Sequence, residues 1–172
     1  MAILARNNPL AAFFRPLKKQ GVMRISDYLD SRLITFLTEE TRDASIDTLI
    51  DRLDERGKLA DKQAFRDAIF YREGLVSTGI GMGIAIPHAK MRNIKQFFIA
   101  VGIQQSKGIE WNALDKAPVR IIFMIGGPDD KQAEYLQILS MLTSAIKDVD
   151  LRKKLLKASS SQEVFELFSN SL

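Results

Sequence analysis

The single histidine of this chain is its first candidate for nucleophilic chemistry. His88 is the only histidine and cysteine is absent, which excludes disulfides, thiolate metal sites, cysteine nucleophiles and any site that needs two imidazoles from one chain. Pro87 stands directly before it, and the restricted backbone around a proline favours an extended approach to the imidazole ring. A neutral imidazole is a nucleophile at cellular pH. The alternative for a lone histidine is a structural or surface position.

Three glycines at alternate positions precede this histidine. Gly79, Gly81 and Gly83 would let the backbone approach a ligand closely and expose N–H groups to an anion. Two known phosphate loops fit poorly. A dinucleotide fingerprint needs a helix after its last glycine, whereas residues 84–87 predict a short extended segment, and a nucleotide P-loop needs Lys followed by Ser or Thr. ATP is therefore not the expected substrate, and a glycine-rich turn that serves tight packing is the alternative.

A cation falls where a hydrophobic residue is due. Arg72 lies three residues after Ile69 and seven after Phe65, so it continues the apolar stripe of a predicted helix. A guanidinium on an inward face needs an anionic partner, because an unpaired buried charge is costly. That partner could be an anionic ligand. The alternatives are a structural carboxylate, or an arginine whose stem lies on the core while its head reaches water.

The elements that must position these residues are helices mixed with strands. Ser45 is a predicted N-cap for a helix that ends at Gly57, and a second helix is predicted from Asp61 to about Gly74. Three further helices are predicted over 133–146, 151–156 and 162–168. Two nearly continuous apolar runs, Phe97–Ile103 and Val119–Ile125, are typical of strands covered on both faces. The pattern predicts an α/β fold with three layers.

Composition limits the classes of protein. The 172 residues suit one domain with a substantial core. Residues 1–24 hold five basic side chains and no acidic one, whereas residues 25–172 hold 20 basic and 21 acidic ones. We therefore expect residues 1–24 to form a flexible basic extension. The alternative is an arm for interaction, targeting or nucleic-acid binding. The remaining domain is nearly neutral, so we do not expect it to bind nucleic acid. No apolar run approaches the roughly 20 residues of a membrane span, so we expect a cytoplasmic protein without membrane insertion.

The residues of the candidate site also carry a family resemblance. Arg72-Glu73, Thr78-Gly79-Ile80-Gly81 and Gly83-Ile84-Ala85-Ile86-Pro87-His88 closely resemble the type 2 EIIA domain of the bacterial phosphoenolpyruvate-dependent phosphotransferase system, in its fructose/mannitol and nitrogen-regulatory branch. The resemblance extends from about Ile25 to Phe168 and includes the runs Ile25–Leu29 and Tyr135–Ser140. Residues 25–172 are thus interpreted as one EIIA type 2-like phosphocarrier domain.

The resemblance implies a three-layer sandwich with a mixed, mostly parallel sheet between helices, and it makes His88 the phosphorylated residue with Arg72 beside it. The donor would be the phosphohistidine of a small HPr-like carrier. Phosphoryl contacts are predicted from Arg72, from backbone N–H groups at Gly79, Gly81 and Gly83, and from a Ser77 or Thr78 hydroxyl. Because the donor is a protein rather than ATP, neither a metal nor another cofactor is expected.

One position departs from the family pattern. Many members carry a second active-site histidine at the start of the late helix, and Tyr135 occupies that position here. A phenol can donate a hydrogen bond to phosphate but does not readily carry positive charge at neutral pH. This difference points to slow onward transfer, and simple packing is the alternative role of Tyr135.

Together these features predict a phosphocarrier and nitrogen or metabolic regulator that acts on a target protein or an EIIB protein. A sugar-specific EIIA component and a non-catalytic binding module are the alternatives.

Overall fold

The computed structural model describes residues 21–170, so that most of the predicted extension, residues 1–20, lies outside the described residues. A 3-10 turn at Ile25–Asp27 precedes the first strand. The strands are β1 (Leu29–Phe36), β2 (Gly79–Gly81), β3 (Ile84–Ala85), β4 (His88–Lys90), β5 (Phe98–Ile103) and β6 (Ile121–Gly127). The helices are α1 (Arg42–Glu55), α2 (Lys62–Leu75), α3 (Gln132–Ile146), α4 (Val149–Lys157) and α5 (Ser161–Ser169).

The sheet is mixed and mostly parallel, as expected. Its strand order is β1-β5-β6-β3-β2, and β4 also pairs with β6. The β1–β5, β3–β6 and β4–β6 pairs are parallel, whereas β5–β6 and β2–β3 are antiparallel. β3 and β4 follow successive parts of β6, since β3 pairs with its start and His88 of β4 pairs with Ile125. The segment through Pro87 therefore runs along a buried central strand, and this pairing fixes the position of His88 beside Ile125 of β6.

Helices cover both faces of this sheet, which confirms the three-layer α/β prediction. Alternate residues of β6 enter different cores: Ile121, Phe123 and Ile125 pack with α3, α4 and α5, while Ile122 and Met124 pack with α1 and α2. Every residue of β5 and β6 is buried. This double burial is why both strands read as continuous apolar runs rather than as alternating ones.

One helix cap differs from the sequence-based expectation, and strand β1 was not predicted. The prediction that Ser45 caps α1 is wrong, because the N-cap is Thr41, whose hydroxyl accepts a hydrogen bond from Ala44 N. Ser45 is buried inside the helix and donates its hydroxyl to the Thr41 carbonyl. Strand β1 carries Asp30 and Arg32 within its first half, so its sequence shows no clear strand period. The Asp61 cap of α2 is confirmed by its hydrogen bond from Ala64 N.

Candidate active site

His88 opens strand β4 with its imidazole half-buried. Its Nδ1 lies 2.9 Å from the carbonyl oxygen of Ile86. A carbonyl only accepts hydrogen bonds, so Nδ1 must carry the proton and donate it. The lone pair of the neutral ring is then on Nε2. The backbone two residues before the histidine thus selects the tautomer and decides which nitrogen can act as a nucleophile.

Arg72 occupies the last turn of α2 and faces that nitrogen. Its Nε donates to His88 Nε2 at 3.2 Å, and its Nη1 donates to the carbonyl oxygen of Val76 at 2.7 Å. The arginine contact therefore supports the same tautomer. No carboxylate among the described residues forms an ion pair with Arg72. The structural-carboxylate alternative is thus absent from the described part of the chain, and Arg72 as a whole residue is half-buried.

The surroundings hold this imidazole neutral. Burial is the largest cause that lowers the pKa of His88, because it disfavours the imidazolium. The charges of Arg72 and Lys90 lower it further, while the hydrogen bond to Ile86 and the charge of Glu73 act in the opposite direction. Net lowering means that the ring is uncharged near neutral pH.

The ring of Tyr135 packs against the histidine. Its ring centroid is 5.6 Å from that of His88 and 6.1 Å from that of Phe97. Burial raises the pKa of the Tyr135 phenol, against a smaller lowering by Arg72. The hydroxyl therefore stays protonated and keeps its donor. The structure brings the second-site position to the imidazole, and whether it contacts phosphate or only packs stays a prediction.

Glu73 is a buried carboxylate that our reasoning from the residues missed. It is 4% exposed and accepts hydrogen bonds from Thr78 N at 3.0 Å, from the Thr78 hydroxyl and from Trp111 Nε1 at 3.1 Å. These bonds tie the end of α2 to the segment that leads into β2. The signal was present in the spacing: Phe65, Ile69 and Glu73 lie four residues apart and are the buried residues of α2.

The two predicted hydroxyls are already engaged. Ser77 Oγ donates to the Trp111 carbonyl at 3.0 Å and accepts from Gly79 N at 3.1 Å. The Thr78 hydroxyl donates to Glu73. A bond to phosphate would require either side chain to give up a partner. Their role as phosphoryl ligands stays a prediction, and the described contacts favour a part in shaping the site.

The three glycines build a tight hairpin. A Cβ on Gly79 would lie 2.7 Å from Ala113 Cβ, while Gly81 and Gly83 have positive φ angles of 95° and 74°. Met82 between them donates its N–H to an Asp115 carboxylate oxygen at 2.9 Å. Close packing and left-handed backbone account for glycine at these positions. Phosphate binding by their N–H groups stays a prediction, and the nearby carboxylate of Asp115 disfavours an anion there.

Residues 21–170 show neither a metal-ligating cluster nor a membrane-spanning helix. Residues 21–170 contain no group of three or more metal-ligating side chains suited to hold an ion. Nor does any helix within that range combine the length and the apolar character that crossing a bilayer demands.

Sequence comparisons place this geometry among known proteins. Residues 27–171 match the family model described as "Phosphoenolpyruvate-dependent sugar phosphotransferase system, EIIA 2". The chain is 36% identical over 129 residues to the fructose-specific EIIA component of Haloferax volcanii, covering 75% of this chain and 83% of that protein. It is 32% identical over 109 residues to the nitrogen regulatory protein of Escherichia coli K12, covering 63% and 67%. It also matches the fructose-specific EIIABC component of Bacillus subtilis at 35% identity over 148 residues, 86% of this chain but only 23% of the length of that protein.

Solved structures agree with this placement. The nitrogen regulatory protein IIA-Ntr from Neisseria meningitidis superposes with a TM-score of 0.77 at 28% identity, covering 84% of this chain and 98% of that one. The mannitol IIA of Escherichia coli has a TM-score of 0.69 at 21% identity, covering 81% and 97%, which shows the shared fold. Since the family model spans nearly all of the described residues, the chain belongs to the EIIA 2 family of the phosphoenolpyruvate-dependent sugar phosphotransferase system.

Proposed function

We propose that this chain is a cytoplasmic phosphocarrier that accepts a phosphoryl group on Nε2 of His88 from the phosphohistidine of a small HPr-like protein, and that it serves as a nitrogen or metabolic regulator. The observation that carries the proposal is the contact between Arg72 Nε and His88 Nε2 at 3.2 Å. It places a cation against the nitrogen that this tautomer leaves unprotonated. Family membership supports the phosphocarrier activity, and similarity to nitrogen regulatory proteins supports the regulatory role.

The reaction is an exchange of one N–P bond for another. The lone pair of His88 Nε2 attacks phosphorus, and the electron pair of the broken N–P bond returns to the donor imidazole. No proton has to leave His88 when the bond forms. Nδ1 keeps its proton on the Ile86 carbonyl, so the phosphorylated ring carries positive charge next to the phosphoryl dianion. A similar bond is made and broken, which lets transfer run in both directions.

Charge stabilisation would come mainly from Arg72. Its contact with Nε2 is replaced on phosphorylation, and the guanidinium is then positioned to donate to phosphoryl oxygens. Each charge-assisted hydrogen bond of this kind contributes about 1.5 to 3 kcal/mol. The Val76 carbonyl anchors the other end of the guanidinium, which limits the rearrangement to a small movement.

Exposed apolar side chains beside the site suit a protein donor. Leu75 and Val76 at the end of α2 are 60% and 64% exposed, and Leu136 on α3 is 53% exposed. Leu75 and Val76 follow Arg72 by three and four residues, and Leu136 directly follows Tyr135. Large exposed apolar groups next to a reactive centre are typical of a protein docking surface. We propose that the HPr-like donor, and the target protein or EIIB recipient, bind here.

Sugar transport is the second candidate function, and the comparisons favour it in one respect. The fructose-specific relatives match 75% and 86% of this chain, whereas the Escherichia coli nitrogen regulatory protein matches 63%. Presenting the phosphorylated chain to a fructose-type EIIB domain separates the two. Rapid, complete transfer supports a transport component, while a long-lived phosphohistidine supports regulation.

The titration of His88 tests the neutral nucleophile. We expect its midpoint below the ordinary value of 6.5, because burial and two cations disfavour the imidazolium. Acidification through that midpoint removes the Nε2 lone pair, so the transfer rate falls as the pH falls. In Arg72→Met the midpoint should rise because one cation is gone. Proton NMR of the single histidine measures both values, and a wild-type midpoint above 6.5 would contradict the assigned environment.

Phosphorylation itself is tested by intact mass. Incubation with phosphoenolpyruvate, enzyme I and the HPr-like carrier should add one acid-labile, base-stable phosphoryl group to the wild-type protein and none to His88→Ala. Circular dichroism checks that this variant is folded. A mass gain that survives in His88→Ala would refute the site, and no gain on the wild type would favour the non-catalytic binding module.

Removal of the guanidinium should slow transfer without unfolding the chain. Arg72→Met is expected to lower the transfer rate about 10- to 100-fold, since it deletes charge-assisted hydrogen bonds to the phosphoryl group. Arg66→Met is the matched control on the same helix, because Arg66 pairs with Asp47 rather than with His88. Rapid-quench assays with phosphorylated carrier give both rates. Equal rates for Arg72→Met and the wild type would return Arg72 to a structural role.

A further inference from the structure

A second cation stands next to the imidazole. Lys90 follows His88 by two positions on β4, so both side chains leave the same face of the strand, about 6.6 Å apart at the backbone. Lys90 is half-buried, and it forms no ion pair with any carboxylate in residues 21–170. A partly buried lysine without an anionic partner, beside a group that is to become a dianion, requires an explanation.

The lysine head contacts two neutral partners. Its Nζ lies 4.7 Å from the ring centroid of Tyr135 and donates a hydrogen bond to the side-chain oxygen of Gln132. The His88 ring packs against the same tyrosine at 5.6 Å between centroids. Imidazole and ammonium therefore share one aromatic neighbour. The charge of Lys90 already acts on the imidazole, since it is among the causes that lower the pKa of His88.

We propose that Lys90 is the second phosphoryl-binding cation of this site: on phosphorylation its ammonium leaves Gln132 and the Tyr135 ring and donates a hydrogen bond to an oxygen of the phosphoryl group on His88 Nε2. The inference rests on the proposed function and deepens it. Lys90 stays an ammonium throughout, and no proton moves. A ring contact and a hydrogen bond to a neutral amide are exchanged for a hydrogen bond between opposite charges, and the negative charge of the phosphoryl oxygens favours that exchange.

The reach and the direction of the side chain fit this role. Lysine carries its charge on a flexible four-carbon stem, so the head can cross the distance between adjacent positions on one strand face. Arg72 approaches Nε2 from α2, whereas Lys90 approaches from β4 by way of the Tyr135 ring. The two cations thus bracket the phosphoryl group from different elements.

This arrangement also gives Tyr135 a defined part. The phenol cannot supply the positive charge that a histidine at this position could carry. Its ring instead keeps the Lys90 ammonium close to His88 in the unphosphorylated protein. Lys90 on β4 thereby supplies the positive charge that a second histidine would carry at position 135. Tyr135 acts as a positioning residue for Lys90.

Lys90→Met tests the assignment, because methionine keeps most of the stem and removes the charge. We expect kcat for transfer from the phosphorylated HPr-like carrier to fall about tenfold or more, with KM changed less than about threefold. Lys90→Arg should restore most of the rate. Lys131→Met is the matched control: it removes a lysine immediately before Gln132, at the start of α3, and should behave as the wild type.

A second readout reports on the phosphorylated state directly. The 31P resonance of phosphorylated His88 should shift in Lys90→Met and not in Lys131→Met, because only Lys90 donates to the phosphoryl oxygens. Thermal unfolding confirms that each variant is folded. Tyr135→Phe keeps the ring and should retain the effect of Lys90, whereas Tyr135→Leu should lower kcat and the contribution of Lys90 together.

The outcomes separate the two proposals. Wild-type kcat and an unshifted 31P resonance in Lys90→Met, with His88 still phosphorylated, would overturn the role of Lys90 and leave the proposed function intact. A loss confined to KM would assign Lys90 to carrier docking and would also overturn it. Absence of any phosphoryl group on the wild-type chain would instead refute the proposed function, and this inference with it.

Discussion

The hydrogen bond from His88 Nδ1 to the Ile86 carbonyl at 2.9 Å is the interaction on which the site depends. It leaves one nitrogen with a lone pair and aims that lone pair at Arg72. The bond exists because Pro87 and His88 continue along β6, where Ile125 N donates to the Pro87 carbonyl. The central strand therefore sets the position of the ring, and a local backbone contact sets its chemistry. Both contacts come from the chain itself, so the tautomer and the position of the ring are preorganised.

The position of Arg72 depends on a different set of hydrogen bonds. Arg72 is positioned because its neighbour Glu73 is locked in the interior by Thr78 and Trp111. A buried carboxylate without these donors would be strongly destabilising. Two adjacent charged residues of α2 thus have different roles. Glu73 faces inward and fixes the end of the helix, while Arg72 faces the imidazole.

Much of this was predictable from the sequence, and the failures have physical causes. The apolar runs of β5 and β6 and the Asp61 cap of α2 depend on local pattern, so they were recovered. The sequence analysis did not identify Glu73, because a step of three residues beyond Ile69 leads to Arg72. The buried face of α2 instead continues four residues beyond Ile69, at Glu73. The contacts of Lys90 with Tyr135 and Gln132 join residues more than 40 positions apart, and no local pattern carries such information. His88 was identified as the only histidine, directly after a proline, and Arg72 by a charge on an apolar helix stripe; the structure places the two side chains in contact.

The most direct test of the account is two-bond 1H–15N correlation NMR of the 15N-labelled chain before and after phosphorylation. The account predicts a neutral ring with its proton on Nδ1 in the free protein, and after transfer a ring phosphorylated on Nε2 that still carries the Nδ1 proton. A free ring protonated on Nε2, or a phosphoryl group on Nδ1, would contradict it, because the Ile86 carbonyl would then not be selecting the nucleophile.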